Sequence, residues 1–201
     1  MEPIPETPDL SAYLAAGDVI DHHDPQVLET AALLAQGTHN PHEYAEAAFE
    51  YVRDAIPHSF DSGDPRVSWR ASDVLEQRNG ICYAKSHALT ALLRTRGIPA
   101  GLCYQRLTED DGSDPALHGL IALRLPGTDR WSRLDARGNK PGVDARFSLA
   151  TERLAFPVRP ELGERDYPLV YASPLPAVVA CLRAAPASTA IVVPTEVSDG
   201  S

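Results

Sequence analysis

The chain has 201 residues, a length that fits one ordinary domain. Hydrophobic residues make up 43% of it and charged residues 23%, the balance of a globular protein that buries a core. With 18 Lys and Arg against 28 Asp and Glu, the net charge of −10 argues against nonspecific binding to nucleic acid or to an anionic membrane. The sequence has no run of about 18 apolar residues, so it predicts no membrane span.

The termini and the cysteines bear on the compartment. Residues 1–6 are acidic and broken by prolines, unlike the basic start and apolar stretch of a signal peptide. The three cysteines, Cys82, Cys103 and Cys181, form no C-x-x-C pair. These features predict free thiols in a reducing cytoplasm, with one thiol a candidate for reactivity. Both ends of the chain are predicted to be frayed.

The first third of the chain has helical periodicity, and an N-cap residue followed by proline marks two helix starts. These are Asp24-Pro25, before a helix over 26–36, and Asn40-Pro41, before a helix that ends ahead of Pro57. Residues 58–70 have the composition of an ordered loop. Ser72 is predicted to cap a short helix that runs through Gln77.

Residues 81–96 have the strongest helical pattern in the sequence. Its apolar positions recur at helical spacing, at Ile81, Ala84, Ala88, Leu89, Leu92 and Leu93. After Pro99 the hydrophobic period changes from about 3.6 residues to about 2, which predicts strands over 100–107, 118–125 and 130–135. One further short helix is predicted over 177–185. Helices followed by an antiparallel sheet indicate the α+β class, with the N-terminal helices packed on the sheet.

Cys82 follows Asn79-Gly80-Ile81, where the chain is predicted to turn into the helix 81–96. Gly80 is expected to adopt backbone angles closed to other residues and so to permit the turn. In the first helical turn, unpaired N–H groups and the helix dipole favour a thiolate over a thiol. A thiolate there is a nucleophile, and the same N–H groups can bind an oxyanion. The alternative interpretation is that Cys82 is a small buried hydrophobic residue.

A thiolate nucleophile needs a base, and the base needs an acceptor that orients it. His118 begins one predicted strand and Asp135 ends the next. A two-residue turn at 126–127 would place them directly opposite, whereas a four-residue turn over 126–129 makes them diagonal neighbours. Both turns put the two side chains on one face, and the composition of 126–129 favours the longer turn. Alone, each residue also fits a simpler role, as a histidine bonded to backbone and a loop-capping aspartate.

The stretch from Gly80 to Ala100, followed by His118 and by Arg130-Trp-Ser-Arg-Leu-Asp135, resembles the transglutaminase-like superfamily. Its members have a cysteine after a glycine at a helix start, an exit like Ala-Leu-Leu-Arg-x-x-Gly-Ile-Pro-Ala, and a histidine and an aspartate on adjacent strands. The resemblance spans about 45–175 and implies a papain-like α+β fold with a catalytic triad of Cys82, His118 and Asp135. Residues 134–142 and the segments after them resemble a bacterial subgroup.

Two features depart from the family pattern. Many members read His-Ala-Trp after the base, whereas this sequence reads His118-Gly119-Leu120. An aromatic wall for the thiolate–imidazolium pair must therefore come from elsewhere. No oxyanion side chain is evident either, and the candidates are the indole N–H of Trp69 and the side-chain amide of Gln77.

We therefore expect a single domain over 1–201, with an N-terminal helical part (9–57), a transglutaminase-like core (58–175) and a C-terminal helix with a frayed tail (176–201). The resemblance implies a cysteine enzyme that acts on an amide, either a glutamine side chain or a peptide-like bond, through a thioester on Cys82. Hydrolysis is favoured over cross-linking, because no acyl-acceptor module is visible. The alternative is a catalytically silent module that holds a peptide in the same cleft.

The expected partner is a peptide or protein amide. No nucleic acid, membrane, cofactor or metal ion is expected, and the oligomeric state is left open.

Overall fold

The computed structural model describes residues 2–197, and within them it has six α-helices and six strands. The helices are α1 Pro25–Leu34, α2 Pro41–Ala55, α3 Ser59–Ser62, α4 Ala71–Gln77, α5 Cys82–Thr95 and α6 Pro176–Ala184. The strands are β1 Ile4–Pro5, β2 Ala100–Leu107, β3 Ala116–Arg124, β4 Trp131–Leu134, β5 Arg165–Asp166 and β6 Leu169–Val170. Short 3₁₀ helices cover Leu10–Leu14, Pro160–Leu162 and Ser188–Ala190. The α+β class predicted from the sequence is confirmed.

The main sheet is antiparallel, with the strand order β4-β3-β2-β5. In the β3–β4 pair Leu123 lies opposite Ser132 and Arg124 opposite Trp131. The four-residue turn over 126–129 is thereby confirmed. Continuing this register by one residue beyond β4 sets Asp135 opposite Leu120, which is diagonal to His118.

Helix α5 lies at the centre of the molecule. It packs against α1, α2 and α4 on one side and against β2 and β3 on the other, and every residue from Tyr83 to Arg94 is buried. A helix covered all round needs internal partners for its polar side chains.

The predicted cap of α4 is wrong. The helix begins at Ala71, and the N-cap residue Arg70 makes no side-chain capping bond. The carboxylate of Asp21 takes this role from outside the helix, since it accepts from the Ser72 N–H at 3.1 Å and from the Ser72 hydroxyl at 2.5 Å. A distant carboxylate has replaced the local cap that the sequence indicated.

The described parts of both ends, which the sequence predicts to be frayed, have backbone partners in this structure. Strand β1 pairs in parallel with β6, and the Glu6 N–H donates to Val170 O at 3.0 Å. Near the C-terminus Pro194 O accepts from the Leu117 N–H at 2.7 Å. Residues 198–201 of the predicted tail lie outside the described residues. The division into segments 9–57, 58–175 and 176–201 stays a prediction.

Packing around Gly119 explains why this sequence has a glycine where the His-Ala-Trp pattern has an alanine. A Cβ at position 119 would lie 2.6 Å from Cδ1 of Tyr83, whose side chain is buried. The Tyr83 hydroxyl donates to Leu117 O, so the ring is anchored to β3 and cannot easily move aside. Only a glycine leaves room for this contact between α5 and β3.

Gly119→Ala is expected to lower the free energy of unfolding by about 1–3 kcal/mol, because the added methyl group overpacks a rigid contact. Urea denaturation measures the change. The matched control is Gly17→Ala, since a Cβ at Gly17 meets no atom within 4 Å and Gly17 has no left-handed φ. Equal unfolding free energies for the two variants would contradict the packing argument.

Candidate active site

Cys82 is the first residue of α5, and its half-buried side chain lies at the positive end of this buried helix. The N-cap residue Ile81 makes no side-chain capping bond. The prediction that Gly80 adopts backbone angles closed to other residues is wrong. The residue with left-handed backbone angles before α5 is Arg78, with φ 48°. Gly80 is needed for packing instead, since a Cβ there would lie 2.9 Å from the Cβ of Ala84.

His118 and Asp135 form a buried pair. The Nε2 of His118 lies 2.8 Å from Oδ2 of Asp135, and the two residues are 6% and 1% exposed. The backbone N–H groups of Arg137 and Ala155 donate to the Asp135 carboxylate at 3.0 and 3.1 Å. Cys82 lies close enough to His118 to act electrostatically on its ring and raise its pKa. The structure thus brings together the three residues of the predicted triad, with Nε2 on the carboxylate and Nδ1 left for the sulfur.

The charges of this group follow from its surroundings. Burial by itself would lower the pKa of His118, but the Asp135 carboxylate and the Cys82 sulfur outweigh it and raise that pKa to about 10. Burial would likewise raise the pKa of Asp135, but His118 and the backbone donors leave it lowered. Near neutral pH the arrangement therefore favours a protonated His118 ring beside the Asp135 carboxylate.

The aromatic wall comes from Phe156, which sequence reasoning missed. Its ring meets the His118 ring edge to face, with centroids 5.3 Å apart and planes at 87°. The guanidinium of Arg137 lies 5.8 Å from the centroid of Phe156 and forms an ion pair with Asp61. Phe156 lies in a segment with no helix or strand period, so no sequence signal pointed to it.

A second histidine touches the nucleophile. The Cys82 N–H donates to Nε2 of His58 at 3.1 Å. Burial, together with the charge of Arg137, lowers the pKa of His58 to about 3, so its ring is neutral. The sequence placed His58 only in a loop, and a lone histidine gave no further signal. In this structure the Cys82 N–H is occupied, so it is not free for an oxyanion.

The two oxyanion candidates lie in other contacts. Gln77 Oε1 accepts from the Ser68 hydroxyl at 3.2 Å. The guanidinium groups of Arg70 and Arg183 lie over the Trp69 ring, at 4.7 and 5.0 Å from its centroid. Across residues 2–197 neither side chain is hydrogen-bonded to the catalytic triad candidates. Their oxyanion role stays a prediction.

Lys85 lies one turn after Cys82, and its side chain is buried rather than solvated. The residue is 1% exposed, and its Nζ donates to Ile56 O at 2.5 Å and to Arg53 O at 3.3 Å. It therefore binds carbonyl groups at the C-terminal end of α2. Burial, aided by the charge of Arg137, lowers the pKa of Lys85 to about 7.

Lys85→Met is expected to remove a pH-dependent part of the stability. Burial lowers the pKa of Lys85 in the folded protein to about 7, whereas the ordinary pKa of lysine is 10.5. Between these pH values the unfolded chain binds the extra proton, so stability rises with pH by about 1.4 kcal/mol per pH unit. The unfolding free energy of wild type minus that of the variant should increase from pH 7 to pH 10.5. A difference that stays flat over this range would contradict the assignment.

Within residues 2–197 no three His, Cys, Asp or Glu side chains are grouped so as to hold a metal ion. None of the helices there combines the length and the apolar character that a bilayer-spanning helix needs.

Comparison with known structures bears on the fold. A structure from Cytophaga hutchinsonii, provisionally described as a cysteine protease, matches with a TM-score of 0.52 and 19% identity over 68% of this chain and 45% of that one. Red sea bream transglutaminase matches with a TM-score of 0.47 and 12% identity over 65% of this chain and 32% of that one. The chain thus spans less than half the length of either protein. The first likeness confirms the predicted papain-like, transglutaminase-type fold.

Comparison at the level of sequence assigns the family. No curated protein matches the chain. The family model of the transglutaminase-like superfamily matches residues 29–136, more than half of the chain. The matched range includes Cys82, His118 and Asp135. The chain belongs to the transglutaminase-like superfamily.

Proposed function

We propose that this protein is a cysteine enzyme that transfers the acyl group of an amide to water through a thioester on Cys82. The observation that carries the proposal is the order in which three side chains of the site lie next to one another. Cys82 begins a buried helix and lies close enough to His118 to act on the charge of its ring, and His118 in turn lies 2.8 Å from the buried Asp135 carboxylate. This is the order of nucleophile, base and orienting acceptor that acyl transfer requires.

In the first half of the reaction the Cys82 thiolate attacks the amide carbonyl, so a carbon–sulfur bond forms and the carbonyl oxygen becomes an oxyanion. The proton on His118 then passes to the leaving nitrogen as the carbon–nitrogen bond breaks. The amine departs and a thioester remains on Cys82. The raised pKa of His118 keeps this proton available near neutral pH.

In the second half the imidazole, now neutral, takes a proton from water as the water oxygen attacks the thioester. The carbon–sulfur bond breaks, the carboxylic acid leaves, and the thiolate–imidazolium pair is restored. Asp135 stabilises the imidazolium in both halves and fixes which ring nitrogen faces the sulfur. The Phe156 ring packs against the His118 ring and shields it from water.

The choice between water and an amine as acceptor is tested with a glutamine-containing peptide and a peptide amide, each with and without a primary amine. Hydrolysis predicts ammonia release that the added amine leaves unchanged and no incorporation of the amine into the peptide. Incorporation of the amine into the peptide would mean that the enzyme catalyses transamidation instead of hydrolysis. Cys82→Ala serves as the blank, and product formation by this variant would contradict both forms of the proposal.

A catalytically silent peptide-binding module would give a different result. It would bind one of these peptides with the same affinity in the wild type and in Cys82→Ala, and no acylated protein would appear in the mass spectrum. An acyl group on Cys82 excludes this alternative.

A further inference from the structure

The strongest feature outside the proposed triad is the contact between His58 and the backbone of Cys82. His58 directly precedes α3 and forms a parallel bridge with Gly80. The Ser59 N–H donates to Gly80 O at 3.3 Å, and the Ser59 hydroxyl is 2.9 Å from Asn79 Oδ1. These contacts fix the segment before α3 beside the segment before α5. They hold Nε2 of His58 within hydrogen-bond distance of the Cys82 N–H, the first of α5.

The contact requires one particular form of the ring. Because the Cys82 N–H donates to Nε2 at 3.1 Å, Nε2 must carry a lone pair and the proton must be on Nδ1. The charged groups that act on His58 are Asp61 and the cationic Arg137, Lys85 and His118. The cations disfavour a charged His58, and burial acts in the same direction, so the accepting form is the stable one.

A space-filling role does not account for a histidine here. The residue is 7% exposed, and its Nδ1 is buried with no hydrogen-bond partner among the described residues. An unpaired buried donor costs free energy that a phenylalanine ring would not. The edge-to-face contact with Phe60, at 5.4 Å between centroids, would also be kept by phenylalanine. What the histidine adds is the acceptor at Nε2.

We propose that His58 is a positioning residue, which fixes the backbone of Cys82 through its N–H and so holds the sulfur in line with His118. The proposal rests on the proposed function, since it concerns the same nucleophile. Helix α5 has no side-chain N-cap of its own, so His58 supplies from outside the acceptor that its first N–H lacks. Without it the first turn is free to fray and the sulfur moves relative to the imidazole.

The test compares two substitutions of His58, one that keeps a hydrogen-bond acceptor and one that keeps only an aromatic ring. His58→Gln keeps a side-chain oxygen for the Cys82 N–H, whereas His58→Phe keeps the ring and loses the acceptor. The rate of acylation of Cys82 by p-nitrophenyl acetate is followed from about pH 5 to about pH 9. His58→Phe is expected to lose about tenfold at the acidic end and less at the alkaline end, where the thiol ionises without help from His118. His58→Gln is expected to recover most of the loss.

The matched control is His22→Phe, because His22 is also buried, with 5% exposure and an unpaired Nδ1, but has no contact with Cys82. An unchanged profile in a folded His58→Phe variant would overturn the proposal, and so would an equal loss in the glutamine variant or in His22→Phe. Absence of wild-type acylation would instead count against the proposed function.

A measurement on the wild type does not depend on whether the variants fold. Nitrogen NMR of the histidine rings should show His58 protonated on Nδ1 alone between about pH 5 and about pH 8. A His58 protonated on Nε2, or one that titrates in this range, would overturn the proposal even if Cys82 is acylated normally.

Discussion

Cys82→Ala is expected to abolish acylation of the protein by p-nitrophenyl acetate, leaving only the background hydrolysis of the ester in buffer. The reason is that the thioester forms on this sulfur, and the other two cysteines are poor substitutes. Burial raises the pKa of Cys103 to about 12 and that of Cys181 to about 11. Release of p-nitrophenolate and the mass of the acetylated protein measure the effect.

Cys181→Ser is the matched control for this loss, because Cys181 is half-buried like Cys82 but lies in α6. It should acylate at the wild-type rate. Acetylation that persists in Cys82→Ala and disappears in Cys181→Ser would show that the nucleophile is Cys181 in α6. This result would contradict the active site described around Cys82.

Asp135→Asn is expected to have the second largest effect, a loss of about two orders of magnitude in the acylation rate near pH 6. The amide keeps the size of the side chain but removes the charge that holds the proton on His118. Burial then lowers the pKa of His118, and the neutral thiol–imidazole pair replaces the ion pair. The deficit should shrink as the pH rises, because the thiol then ionises without an imidazolium partner.

Asp54→Asn removes the same charge from the exposed end of α2 and is the control for net charge. Its pH profile should overlay that of the wild type. A deficit in Asp135→Asn that is independent of pH would indicate a structural loss and would contradict the electrostatic role given to the carboxylate.

Much of the scaffold was predictable because its signals are local. Asp24 and Asn40 cap the helices that follow them, as their position before proline indicated. The eight residues of β2 match the predicted range 100–107. The turn composition at 126–129 favoured the register that the sheet has, and this register sets His118 diagonal to Asp135.

The rest of the site depends on long-range contacts that a local pattern does not carry. His58 reaches Cys82 because two irregular segments pair at Gly80, and Phe156 reaches His118 from a segment without period. A charged residue such as Lys85 on an amphipathic helix ordinarily faces water. Helix α5 is instead covered on all sides, so its lysine is paired with carbonyl groups of α2.

The central claim is that Cys82, beside His118 and Asp135, is the activated nucleophile, and alkylation by iodoacetamide near pH 6 tests it most directly. Peptide mass mapping follows the three cysteines in one sample. Cys82 is expected to react at least about a hundredfold faster than Cys181, which has a similar exposure and a pKa raised to about 11 by burial. Slow labelling of Cys82, at the rate of Cys181, would contradict the account.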